Sequence, residues 1–308
     1  MNTRDDIIIP HALKPGDTVG IAAPAGWFDP ERFRRGVAAI EAMGLRVMIP
    51  NDLFEKNRYM AGTDDHRAGV FNNLIADRGI KAVFCARGGF GSMRMLPLLD
   101  MDAICANPKI IAGFSDVSLL LTVIAEKTGM VTFHAPVITS LADAGDMTKA
   151  ALVEAMTGRK PVEIMVKDGV TVRSGVAQGR VIGGNLASLC HLIGTPWQPG
   201  FKAGILFLEE TNEPAYRIDR MLSQMHLSGC LDGVAGIVLG SFENCGQPAE
   251  IYEIVQEHVP AGIPVVAGMA AGHGPENITL PLGLGATLDA DRHVLQYQAP
   301  AVVPQDAL

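Results

Sequence analysis

The stretch KIIAGFSDVSLLLTVI, residues 109–124, organises the rest of the chain. Its first apolar residues predict a buried strand, Gly113 predicts a sharp turn, and the residues from Asp116 onward predict an apolar helix. Ser115 would therefore lie at a strand-to-helix bend with its hydroxyl exposed, and the N–H of Asp116 could hold an oxyanion there. The pattern G-x-S-x-G is only half met, because Val117 replaces the second glycine. The alternative is an ordinary turn in which Ser115 or Asp116 caps the helix.

The bulk composition excludes several classes of protein. A length of 308 residues suggests two domains, and 48% apolar with 19% charged residues is typical of a globular protein. A net charge of −8 without a basic stripe argues against nucleic acid as a partner. The apolar runs are too short to span a bilayer, and the first ten residues predict no signal peptide. Five scattered cysteines without a C-x-x-C pair argue against disulfides and a zinc site, so we expect a cytoplasmic protein without a metal.

Strand and helix patterns alternate in the first half of the chain. Strands are predicted at 18–22, 45–49 and 80–85, with helices at 30–43 and 63–76 between them. This alternation predicts a parallel sheet covered by helices, whose site lies at the carboxyl ends of the strands.

The pattern changes after a linker near residue 160. Short strands separated by turns follow, and then alternating strands and helices. We therefore predict an N-terminal α/β domain, residues 1–160, and a smaller C-terminal mixed β/α domain, residues 161–308.

A glycine-rich loop, RGGFG at residues 87–91, follows the third predicted strand. One interpretation is an anion loop of a non-enzymatic nucleotide or sugar-phosphate binder, although the spacing matches neither common nucleotide motif. A second is that a glycine N–H here completes the oxyanion hole beside Ser115, because the two preceding strands are expected to be neighbours. A tight turn accounts for one or two of the glycines, but less easily for three beside Arg87.

Ser115, Glu209 and His273 each follow a predicted buried strand. A nucleophilic serine needs a base within hydrogen-bond reach, and the base needs an acid that fixes its tautomer. The chain order Ser, Glu, His is one that hydrolases use. The alternative for Glu209 is capping the helix that follows it, and Glu210 competes for either role. The remaining histidines are interpreted as structural or surface residues, His134 least securely: His11, His66, His134, His191, His226, His258 and His293.

Six motifs occur in order along the chain: RGGFG (87–91), GFSD (113–116), GGNL (183–186), IGTPW (193–197), LEETNEPAYRIDRML (208–222), and GH (272–273) with TLPLG (279–283). Together they resemble the LD-carboxypeptidase family of serine peptidases, which includes the microcin C immunity peptidases. The similarity covers nearly the whole chain. Glu210, where relatives often have Asp, and Ala135, where many have Gly, depart from the family pattern without touching the three candidate residues.

The resemblance implies roles for individual residues. Ser115 would be the nucleophile, His273 the general base and Glu209 its orienting acid, with the N–H groups of Gly89 and Asp116 forming the oxyanion hole. It also implies a Rossmann-like N-terminal domain, a site in the groove between the domains, a homodimer, and no cofactor.

The reaction implied by the resemblance is metal-independent removal of the terminal D-alanine from a murein tetrapeptide, a small-peptide substrate of peptidoglycan recycling. The substrate carboxylate needs a cationic or N–H partner, for which Arg87 and Arg217 are candidates. The rival within the family is an immunity-type peptidase that cleaves a peptidyl-nucleotide amide, which aromatic residues able to stack on a base would favour. Only two tryptophans are present, Trp27 and Trp197, and the second belongs to a family motif.

Overall fold

The structure, a computed structural model, describes residues 7–305, whose strands form two sheets. The first sheet contains β1 (Thr18–Ala22), β2 (Arg46–Met48), β3 (Ile80–Cys85), β4 (Ile110–Gly113), β5 (Thr132–His134) and β12 (Leu280–Leu282). The second contains β6 (Glu163–Met165), β7 (Val170–Arg173), β8 (Val176–Asn185), β9 (Gly204–Thr211), β10 (Gly236–Glu243), β11 (Val265–Ala267), β13 (Gly285–Asp289) and β14 (Val294–Tyr297).

The helices connect these strands. They are α1 (Pro30–Ala42), α2 (Asp64–Ala76), α3 (Ser92–Met95), α4 (Met101–Ala106), α5 (Val117–Thr128), α6 (Ile138–Leu141), α7 (Asp146–Thr157), α8 (Leu186–Cys190), α9 (Ala215–Leu227) and α10 (Pro248–His258). No helix within residues 7–305 is long and apolar enough to cross a membrane.

The first sheet has the order β12-β5-β4-β3-β1-β2. Its first five strands in the chain pair in parallel, which confirms the alternation predicted from the sequence. Strand β12 pairs antiparallel with β5 at the edge of this sheet. It comes from residues 278–283, which the sequence pattern had assigned to the end of the second domain. Residues of β12 are fully buried, and this burial against the first sheet accounts for their position.

The second sheet is mixed, with the order β6-β14-β13-β8-β9-β10-β11-β7. Strands β8 to β11 pair in parallel, and the outer strands pair antiparallel. The chain therefore has the predicted α/β class, with a sheet that is almost entirely parallel followed by a mixed one. Strand β9 continues to Thr211, three residues beyond its predicted end, so Glu209 and Glu210 lie inside the strand and not after it.

Helix α5 joins the two sheets. Its residues are buried almost all round, as the apolar run predicts, and it ends at Gly129 in the left-handed conformation. The hydroxyl of Thr122 on α5 donates to the carbonyl oxygen of Gly183 on β8 at 3.0 Å. A Cβ at Gly184 would lie 2.4 Å from the Cβ of Ser118, so only glycine allows β8 to approach α5 this closely. This packing fixes the second sheet against the end of the first sheet that carries Ser115.

Candidate active site

Ser115 lies on the sharp bend between β4 and α5. Its φ of 65° is in the left-handed region, which costs an L-residue about 1 kcal/mol or more. Such strain at one polar residue is typical of a nucleophile elbow, where the turn lifts the side chain above the sheet. The carbonyl oxygen of Ser115 accepts a hydrogen bond from the N–H of Ser118 at 2.8 Å, so the residue is also tied into the first turn of α5.

His273 contacts Ser115 directly. Its Nε2 lies 3.1 Å from the Oγ of Ser115, and its Nδ1 lies 2.6 Å from Oε2 of Glu209. The three side chains come from β4–α5, from β9, and from the loop after β11. This geometry is the one that a nucleophile–base–acid chain requires, in which an acid fixes the imidazole and the imidazole accepts the serine proton, and the roles of the three residues stay a prediction.

Glu209 and Glu210 point to opposite faces of β9, and the structure separates their roles. Glu209 is fully buried and meets His273. Oε1 of Glu210 accepts a hydrogen bond from the side chain of Asn185, and its Oε2 accepts one from the backbone N–H of Ala187 at 2.7 Å, so Glu210 holds the start of α8. Of the two glutamates, Glu210 is therefore the one that caps a helix. The helix that it caps is α8, which precedes β9, and not α9, which follows it.

The loop that carries His273 is held by side chains on both sides of it. The N–H of Gly272 donates to Oδ1 of Asn277 at 2.9 Å, and the N–H of Gly274 donates to Oγ of Ser241 at 2.9 Å. Gly272 has a φ of 109°, and a Cβ there would lie 2.6 Å from Oε2 of Glu209. Glycine is therefore required where this loop passes the acid.

A second set of contacts ties the same loop to α7. Oε2 of Glu276 accepts hydrogen bonds from the hydroxyl and from the backbone N–H of Thr148, the latter at 3.1 Å. The hydroxyl of Thr148 accepts one from the N–H of Asn277 at 2.9 Å. The carboxylate thus satisfies a free N–H in the first turn of α7 and anchors the His273 loop to the first sheet's side of the groove.

The environment of His273 favours its charged form. Burial lowers the pKa of His273, but the hydrogen bond and the negative charge of Glu209 outweigh it, so the pKa is raised above its ordinary value of 6.5. A base with a raised pKa accepts a proton readily, and Glu209 stabilises the imidazolium that results.

The glycine loop lies against the serine. Strands β3 and β4 are parallel neighbours, as predicted, and their loops meet. A Cβ at Gly88 would lie 2.6 Å from the Cβ of Ser115. Oδ2 of Asp116 accepts a hydrogen bond from the N–H of Ser92 at 2.8 Å, which joins the loop to the elbow. Gly89 and Asp116 therefore flank Ser115, and the oxyanion role of their N–H groups stays a prediction.

Two cavities open beside the three side chains. The first, of about 310 Å³, is lined by Ser115, Arg87 and the glycine loop. The second, of about 320 Å³, is lined by His273 and its loop, with residues of the α6–α7 segment opposite. Arg32, Phe114, Ser140 and His273 line both. Together they form one groove that passes the Ser115–His273 hydrogen bond.

Of the two arginines that the sequence offered as partners for the substrate carboxylate, only one lies in the groove. Arg87 lines the first cavity, and its guanidinium donates to the carbonyl oxygen of Trp27. Arg217 pairs with Glu213 at 3.0 Å on exposed helix α9 and lines neither cavity, so the structure does not bring it to the serine. Arg32 was missed. It lies in the first turn of α1, the helix that follows the loop at the carboxyl end of β1, and that position was the signal that could have found it.

His134 lies beneath the site but does not join the hydrogen-bonded chain. It is fully buried, and its ring contacts Phe114 and Phe207 with centroids 5.8 and 4.9 Å apart. Burial lowers the pKa of His134 to about 4, so the ring is neutral at physiological pH. The structural interpretation of this histidine fits its packing.

Comparison with known proteins agrees with this geometry. Residues 19–135 match the model of the LD-carboxypeptidase N-terminal domain, and residues 178–288 match that of the C-terminal domain. The chain is 34% identical over 290 residues to a Bacillus subtilis protein named a probable murein peptide carboxypeptidase, and the match covers 91% of each chain. The chain belongs to the LD-carboxypeptidase family.

Other relatives show how broad the LD-carboxypeptidase family is. The chain is 32% identical over 317 residues to the microcin C7 self-immunity protein MccF of Escherichia coli, with 91% of this chain and 92% of that protein covered. A crystal structure of an MccF-like protein from Bacillus anthracis superposes with a TM-score of 0.89 at 26% identity, covering 95% of this chain and 99% of that one. The family thus contains proteins named for murein peptides and proteins named for immunity.

Proposed function

We propose that the protein is a metal-independent serine carboxypeptidase that hydrolyses the L,D-peptide bond before the terminal D-alanine of murein tetrapeptides. The observation that carries this proposal is the chain of hydrogen-bond distances from Ser115 through His273 to the buried Glu209. The relative from Bacillus subtilis, which is named for murein peptides, supports the substrate class.

In this mechanism the hydroxyl of Ser115 attacks the peptide carbonyl while Nε2 of His273 takes its proton. The N–H groups of Gly89 and Asp116 stabilise the oxyanion. His273 then gives the proton to the nitrogen of D-alanine, which leaves, and the acyl-serine ester remains. Water, deprotonated by the same histidine, hydrolyses the ester and frees Ser115. Each step uses only this chain's groups and water.

The family resemblance supports the setting of this reaction. In this proposal residues 1–160 form the domain that supplies the nucleophile, and residues 161–308 form the domain that supplies the acid and the base. The protein would act as a homodimer in the cytoplasm, where muropeptides released from the wall are recycled.

The test is to incubate the purified protein with a murein tetrapeptide and to follow loss of one alanine by mass spectrometry, with Ser115→Ala beside it. Release by the wild type alone is the expected result. Release by both would exclude Ser115 as the nucleophile. If neither protein releases alanine, the proposed murein substrate is wrong, and the same assay is then run with a peptidyl-nucleotide.

The immunity-type reaction is a second candidate, and one cavity favours it. A space of about 390 Å³ is lined by the aromatic residues Phe242 and Tyr252, and it shares Gly274 and Pro275 with the cavity beside His273. Aromatic rings next to a peptidase site can stack on a nucleobase. Cleavage of an aminoacyl sulfamoyl nucleoside, but not of a murein tetrapeptide, would establish this candidate over the first.

A further inference from the structure

The two cavities of the groove correspond to the two sides of the bond that is cut. If the proposed function holds, on which this inference rests, His273 must protonate the leaving amine, so D-alanine lies on the histidine side of Ser115. His273 lines both cavities, but of the two only the second is lined by its neighbours Gly272 and Gly274, and only the first is lined by Ser115. The second cavity is therefore the place for the leaving D-alanine.

Arg32 is the one arginine or lysine among the described residues that line this second cavity. D-alanine as the last residue of a peptide carries a free carboxylate, and burying that charge without a cationic partner is unfavourable. A guanidinium forms paired hydrogen bonds with a carboxylate that an ammonium or an amide does not reproduce.

The surroundings of Arg32 leave it positively charged overall. Its Nη2 lies 3.1 Å from Oδ2 of Asp143, and Nη1 of Arg35 lies 3.0 Å from Oδ1 of the same carboxylate. The two arginines and the one carboxylate together carry a net charge of +1. Asp143 contacts only one end of the Arg32 guanidinium, whose five N–H donors leave others for a ligand. Arg35 neutralises Asp143, so that this carboxylate does not repel the substrate.

We propose that Arg32 binds the α-carboxylate of the terminal D-alanine and thereby restricts the enzyme to the last residue of the peptide. Arg87 does not serve this purpose, because it lines only the first cavity, on the side of the acyl group, whereas Arg32 also lines the second. In this arrangement the α1 arginine determines that the peptidase is a carboxypeptidase, whereas the serine, histidine and glutamate perform the bond cleavage itself.

The experiment compares a murein tetrapeptide with the same peptide ending in a carboxamide. kcat/KM is measured for both substrates with the wild type, Arg32→Gln and Arg34→Gln. Arg34→Gln is the matched control, because it removes one positive charge from an exposed position of the same helix that lines neither cavity. We expect the wild type to prefer the free acid by about 10- to 100-fold, the range of a charge-assisted hydrogen-bond pair.

In Arg32→Gln this preference should fall to about one, through loss of activity on the acid alone, while Arg34→Gln keeps most of it. Equal losses on both substrates, or a preference that survives Arg32→Gln, would overturn the inference. Thermal unfolding of each variant separates these results from misfolding.

A binding measurement keeps the inference separate from the proposed function. Calorimetry with Ser115→Ala reports the affinity for the acid and for the carboxamide without turnover. If the wild type cleaves neither peptide but Ser115→Ala still prefers the acid in an Arg32-dependent way, the reaction is wrong and the carboxylate site is supported. Equal affinity for the two peptides would show that Arg32 does not form a carboxylate-binding site.

Discussion

Ser115 is positioned by its immediate neighbours in the chain, whereas His273 is positioned by residues from distant segments. The serine stands between β4 and α5 in a strained conformation, and the first turn of α5 holds its carbonyl oxygen. The histidine stands in an irregular loop whose anchors are Glu209 on β9, Ser241 on β10 and Thr148 on α7.

This difference shows two ways to build one hydrogen bond. A nucleophile can be held by a short strand–turn–helix segment, because a bend of the backbone alone exposes its side chain. A general base has to turn between nucleophile and acid, so its ring is fixed by partners and not by its own backbone. Damage to the first region should therefore be local, whereas damage to the second should spread through several contacts.

The largest expected effect is at Ser115, the proposed nucleophile. Ser115→Ala should lower kcat/KM by on the order of 10⁴ or more, because the attacking oxygen is gone. Ser115→Gly should be equally inactive but more stable than Ser115→Ala by about 1 kcal/mol, because glycine adopts the φ of 65° without strain. Urea unfolding of the two variants measures this difference. Equal stabilities would show that the strain at this bend is absent.

The second largest effect is expected when the carboxylate of Glu209, the proposed orienting acid, is removed. Glu209→Gln should lower kcat by about 10³ and move the acidic limb of the pH–rate profile. The wild type loses activity as the pH falls through the raised pKa of His273, because the protonated ring is not a base. Without the carboxylate that pKa falls, so the limb should move to lower pH. Rates of the wild type and the variant between pH 5 and 9 measure the shift. If the acidic limb does not move, a group other than His273 is responsible for it.

Crowding of the serine should have a smaller effect. Gly88→Ala places a Cβ 2.8 Å from Oγ of Ser115 and should lower kcat by about 10², because a shift of about 1 Å in a reacting group costs that much. Gly69→Ala is the control, since a Cβ in the middle of α2 meets nothing within 4 Å and should slightly stabilise the protein. Steady-state kinetics and thermal unfolding are compared for both. Unchanged kinetics in Gly88→Ala would mean that the loop moves away freely.

The smallest effect is expected at the anchor of the histidine loop. Glu276→Ala removes the acceptor for both donors of Thr148 and should lower unfolding free energy by about 1 kcal/mol and kcat less than 10-fold. Asp100→Ala removes a comparable cap from α4, where Asp100 accepts from the N–H of Ala103. The control should lose similar stability with unchanged kcat. Equal kcat in both variants would show that this anchor does not position His273.

The sequence predicted the parallel sheet and the bend at Ser115, because these depend on residues close together in the chain. The strand before Ser115, the glycine loop and the neighbouring strand lie where their patterns indicate. Glu209 was found, but its position inside β9 was not. The apolar run ends at Leu208, and the strand continues because two glutamates find partners on opposite faces.

Other parts of the site depend on contacts that no local pattern contains. Helical spacing did not distinguish Arg32 from any other charged residue of α1, and only the packing of α1 beside α6 brings it into the groove. Arg217 belongs to a family motif and yet pairs locally with Glu213. Tertiary contacts decide which arginine lines the groove. The sequence alone shows where the arginines are in the chain, but not which of them these contacts bring together with Ser115.

The antiparallel strand at the edge of the first sheet has a consequence for synthesis. Leu280 of β12 pairs with His134 of β5, so the last strand of the first sheet is made well after the other five. A nascent chain that has emerged through β9 carries Ser115 and Glu209, but it has neither His273 nor the strand that covers β5. The growing polypeptide therefore lacks the Ser115–His273 contact until residue 273 has left the ribosome, and until β12 follows, β5 remains an open sheet edge that a chaperone can cover.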